Sequence, residues 1–135
     1  MSELREQLTR FLRERYPTAI LAPGSDPHLV ATFKGPIEVG DLCIWDDGDE
    51  ATVALGKITH THFNPDDSEL SKSDAARKIC DELKTFLEEL FSNKVLFWKE
   101  TNGGGGMMRF DEPPNASSSI GRDYFTWAGR YTPNG

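Results

Sequence analysis

The tripeptide His60-Thr61-His62 is the sharpest chemical feature of this 135-residue chain. It lies in a run of strand-forming residues, Ala51 to Phe63. In a strand, residues two apart point to the same face. The two Cβ atoms would then stand about 6.5–7 Å apart, set by the strand rise. Both imidazoles could reach one transition-metal ion. A third ligand would have to come from Asp66, Asp67, Cys43 or His28, and none stands at a spacing that selects it. The competing reading is two strand histidines with no metal, because such pairs arise often by chance.

Other candidate chemistry is weaker. Gly103 to Gly106 form a four-glycine run. A phosphate loop would follow a strand, open a helix and continue with Lys and Ser or Thr. Here Met107, Met108, Arg109 and Phe110 follow, then Pro113-Pro114, which fits a connection. Met107 and Met108 are adaptable apolar groups and Arg109 can pair with an acid, so this is a candidate partner-binding loop. No Gly-x-Ser-x-Gly elbow is present. Cys43 and Cys80 sit in apolar surroundings and read as buried thiols, not as a disulfide or a nucleophile. Trp45, Trp98 and Trp127 read as sheet packing.

Charge adds a second theme. The net charge is −7, but residues 35–69 carry −8, residues 1–34 carry +1 and residues 70–135 are neutral. An acidic chain is a poor partner for nucleic acid, whose binding rests on Lys and Arg. Asp46, Asp47, Asp49 and Glu50 fall in one turn, and Asp66 and Asp67 in another. They form a candidate surface that steers a basic protein. The plainer reading is that acids solubilise turns and favour a helix N-terminus. The Asp46–Glu50 stretch lacks the spaced oxygens and distal Glu of a helix–loop–helix calcium site.

The elements that must position these residues follow from periodicity. Leu4, Leu8, Phe11, Leu12 and Tyr16 make one apolar stripe and predict a helix over 2–16, ended by Pro17. Residues 17–27 read as a connection. Short alternating runs predict strands from His28 to Phe33 and over 37–45. Asp47-Gly48 predicts a tight hairpin. The return strand, 51–63, changes parity at Gly56, which predicts a bulge or bend. Ala75, Ala76, Ile79, Leu83, Phe86, Leu87 and Leu90 predict a long helix over about 69–92. Strands are expected at 94–99 and 123–131, with 101–121 a flexible loop and 132–135 a frayed tail. The order is α-β-β-β-α-β-β. It implies a single α+β domain with a twisted, mainly antiparallel sheet of five strands under two helices.

No run approaches the ~18 apolar residues of a membrane helix, and the N-terminus has no apolar signal segment. A cytoplasmic protein with no membrane partner is expected. The functional expectation is a small acidic, non-enzymatic protein-binding module without a cofactor, of immunity, inhibitor or adaptor type, masking a basic surface. The likeness is to that class, including bacterial inhibitors, and not to any motif. The alternative is a small metal- or ligand-binding protein, or an enzyme, using His60 and His62. A homodimer through an aromatic edge strand near Asp123–Tyr131 is a further expectation.

Overall fold

The computed structural model describes residues 3–22, 28–48, 50–65, 70–101, 103–110 and 122–131. Helix α1 (Glu3–Arg15) leads into strands β1 (Ile20–Leu21), β2 (Leu29–Phe33), β3 (Leu42–Asp46), β4 (Ala51–Leu55) and β5 (Thr59–Phe63). Helix α2 (Lys72–Phe91) follows, then β6 (Val95–Glu100), β7 (Gly105–Arg109), β8 (Arg122–Thr126) and β9 (Gly129–Tyr131). The fold is α+β, but the strands make two antiparallel sheets and not one. The first runs β1-β2-β3-β4-β5, and the second β7-β6-β8-β9.

The extra strands arise where turns cut the expected ones. The predicted strand 51–63 becomes the β4–β5 hairpin, because the chain reverses over Gly56 to Ile58 with Gly56 at φ +57°. The parity change marks that turn. The segment 123–131 is also a hairpin, β8–β9, so Trp127 lies between strands. Residues 37–39, expected to begin a strand, turn instead, with Pro36 O accepting from Val39 N (3.0 Å) and Gly40 N (2.8 Å). Strand β1 falls in the expected connection. Strand β7 takes Gly105–Arg109 out of the expected loop and pairs with β6, Trp98 opposite Gly106. A Cβ on Gly106 would stand 2.6 Å from Trp98 Cζ2, so the indole lies across the glycine. Of the expected loop, 102 and 111–121 lie outside the described residues, as does the tail 132–135.

Both helices pack on one face of the first sheet. Leu42, Ile44, Ala51, Val53 and Leu55 point inward and meet Leu4, Leu8 and Leu12 of α1. Ile79, Leu83, Leu87 and Leu90 of α2 join them, as do Val95, Phe97 and Phe125 of the second sheet. Ser71 caps α2, its hydroxyl accepting from Asp74 N at 3.1 Å. Arg5, three residues before Leu8 and seven before Leu12, is buried with that stripe despite its charge. Tyr16, Phe33, Phe91 and Trp127 link the ends of α1, β2 and α2 to the β8–β9 turn, with ring centroids 5.2–5.8 Å apart.

Three turns meet beside that aromatic group. Gly56 N donates to Asp41 O (3.0 Å) and Lys57 N to Val39 O (3.3 Å). A Cβ on Gly56 would lie 1.8 Å from Val39 O, and one on Gly35 2.0 Å from Gly40 O. Glu38 accepts from Arg130 N at 2.9 Å, tying the same segment to β9. Gly56→Ala is therefore expected to destabilise the fold by at least about 2 kcal/mol, combining left-handed strain with a backbone clash. Gly48 has φ +94° but nothing within 4 Å of its Cβ position. Gly48→Ala should cost only about 1 kcal/mol. Urea midpoints measured with unchanged m values compare the two, and equal losses would contradict the close-approach account.

Candidate functional site

The β3–β4 turn is built by its own polar groups. Asp47 N donates to Glu50 O at 2.9 Å, closing the hairpin. Asp46 Oδ1 accepts from Gly48 N at 2.8 Å, an arrangement that holds an Asx-type turn. The β4–β5 register then sets Thr52 opposite His62 and Ala54 opposite His60. Alternation sends these four residues to the face of the sheet away from both helices.

Four side chains converge there. His62 Nδ1 lies 3.2 Å from Glu50 Oε1 and 3.0 Å from Thr52 Oγ1. The Thr52 hydroxyl donates to Asp47 Oδ2. A hydroxyl has one proton. With that proton on Asp47, the Nδ1–H of His62 serves Thr52 and Glu50. Ligand atoms of Asp47, Glu50 and His62 all lie within 4.8 Å of one another. Among the described residues this is the one group of three His, Cys, Asp or Glu side chains so placed.

The expected His60–His62 pairing on one face holds, with ring centroids 5.2 Å apart and the rings edge to face. The described candidates for a third ligand, His28 and Cys43, do not join it. His28 Nδ1 faces Asp46 O at 3.3 Å. Cys43 Sγ sits 3.8 Å from Thr32 Oγ1. Asp66 and Asp67 lie outside the described residues, as does Asp49. The group around His62 draws instead on Asp47 and Glu50, across a hairpin that the sequence reading took for one continuous strand.

The acidic segment is likewise divided. Asp46 is buried. Asp41 accepts from Gly35 N (3.2 Å) and lies 3.8 Å from Lys34 Nζ. With Glu38 bound to β9, these three acids fasten backbone. Asp47 and Glu50 are the described members of the turn cluster that remain at the open face. On the second sheet, Met107 packs against the core, Met108 is 45% exposed, and Arg109 Nε bonds Glu89 Oε2 at 2.7 Å. The structure therefore separates the methionine–arginine group from the acidic hairpin, placing them on different sheets.

The open face itself is a row of half-buried side chains. Thr32, Cys43 and Ala54 lead to His60, and Trp45 and Thr52 lead to His62. No described helix is long and apolar enough to cross a membrane. Comparison of the chain with protein-family models, curated proteins and solved structures finds no match.

The two thiols differ in setting. Cys80 lies on the inner side of α2, where burial first and Asp81 second push its thiol up to about 12. At pH 8 its thiolate is a trace species. The native protein should leave Cys80 unmodified by iodoacetamide at that pH, while denatured protein reacts fully. Mass spectrometry of peptides reads the site, and rapid native alkylation at Cys80 would contradict its buried placement.

Proposed function

We propose that this α+β domain is a non-enzymatic binding module that docks a basic protein on the open face of its first sheet. The observation that carries this reading is the sheet face that no described helix or strand covers, with Trp45 half-buried within it and Asp47 and Glu50 at its hairpin end. Half-buried aromatic groups are typical interface anchors. The acids would speed encounter with a cationic surface and select against acidic ones. An inhibitor or adaptor that masks a basic site has this form. The charge also supports a protein partner over nucleic acid. The acidic face is smaller than the −8 of residues 35–69 suggests, since Glu38, Asp41 and Asp46 serve the fold.

The test is capture of a specific partner from the native cell, followed by affinity measurement with that purified partner. Asp47→Lys/Glu50→Lys and Trp45→Ala should each weaken binding at least about tenfold. Binding should also fall as salt rises. Lys84→Glu, on the exposed side of α2, should leave it unchanged. A partner that binds all the face variants as tightly as the native chain would overturn the reading, as would recovery of none.

A further inference from the structure

We infer that Asp47, Glu50 and His62 form a binding site for a divalent transition-metal ion of the zinc class. The inference does not depend on a protein partner. It rests on donor chemistry and on the geometry of the two hairpins. Two carboxylates and one imidazole are borderline-hard and borderline-soft donors together, the set that suits zinc or manganese. Calcium is disfavoured, because it takes six or more oxygens and no imidazole.

The distances match such an ion. Zinc holds nitrogen and oxygen donors at about 2.0–2.1 Å, which puts tetrahedral donors about 3.3 Å apart. His62 Nδ1 and Glu50 Oε1 already stand 3.2 Å apart. The widest separation in the set, within 4.8 Å, closes by side-chain rotation, since Asp47 is exposed and Glu50 half-buried. The backbone beneath needs no change. Asp47 and Glu50 are joined by the 2.9 Å turn bond, and His62 is fixed opposite Thr52 by the β4–β5 register.

On binding, the ion would replace the Nδ1 proton that now faces Glu50 and Thr52. That one proton of the neutral imidazole would move to Nε2, leaving the Nδ1 lone pair for the ion. Asp47 and Glu50 would each give one oxygen. Three protein ligands leave a fourth position for water, the pattern of an open zinc site. His60, whose ring meets His62 edge to face, is not among the three donors.

Calorimetric titration of the tag-free purified chain with zinc chloride, in a non-chelating buffer, tests this. The expected result is one ion per chain. His62→Ala, Glu50→Gln and Asp47→Asn should each lower affinity at least about tenfold, and His60→Ala by less than about threefold. Circular dichroism checks the fold of each variant. If His62→Ala unfolds, the near-isosteric Glu50→Gln and Asp47→Asn decide the matter. Zinc should also shift the His62 ring resonances in NMR before any others. No binding at millimolar zinc would overturn the assignment. So would binding that survives the change of His62, Glu50 or Asp47, or that is lost equally with His60→Ala. None of these measurements involves a protein partner, so their failure leaves the docking reading standing, and its failure leaves this one.

Discussion

The contact on which the rest of this structure depends is between pieces of backbone. Gly35, Gly40 and Gly56 bring the β2–β3 connection and the β4–β5 turn so close that no side chain fits between them. Trp127, from the β8–β9 turn, closes over Gly35, with its Cη2 3.0 Å from where a Cβ would be. The two sheets are tied at that point, and Glu38 extends the tie to Arg130 N. The same contact governs the candidate site. Gly56 sets where β4 ends and β5 begins, and so sets Thr52 opposite His62. A slip of one residue would send His62 to the core face and Thr61 outward.

The helices were legible because their apolar residues recur at the helical period over several turns. Pro17 marks an end that the structure keeps within a few residues, α1 closing at Arg15. The Asp47-Gly48 hairpin was legible from its turn chemistry. The number of strands was not. At Gly56 a turn and a bulge leave the same trace in sequence, a change of parity, and only the Val39 contact separates them. Strand β7 has weak strand propensity, with glycine at 105 and 106. It exists through its pairing with β6, which composition does not show. The site was half legible. Spacing placed His60 and His62 on one face, but Glu50 and Asp47 meet His62 only once the β4–β5 turn is known. Arg5 shows the reverse limit: it lies seven residues before Leu12 on the same stripe, so the period puts it inside, and only its charge suggested the outside.

Equal residues in one acidic segment do unequal work. Asp46 and Asp41 accept backbone N–H groups within turns, and Glu38 does so across sheets. Each is a carboxylate used as a structural acceptor, where a hydrogen bond to a charged group is stronger than one between neutral groups. Asp47 and Glu50 instead face a hydroxyl and an imidazole at an open surface. Net charge along a sequence counts these alike. What a ligand or partner meets is set by which acids the backbone has already engaged.

The indole of Trp98 lying across Gly106 has a consequence for how the second sheet comes apart. Glycine gives an edge strand no side-chain cover of its own, and a facing aromatic ring can supply it. The Arg122 guanidinium stands over the same ring, 5.0 Å from its centroid. The order of β7 is therefore borrowed from β6 and β8. Its amide protons should exchange with solvent at the pace set by that ring, so the strand's local lifetime is written in a residue it does not contain.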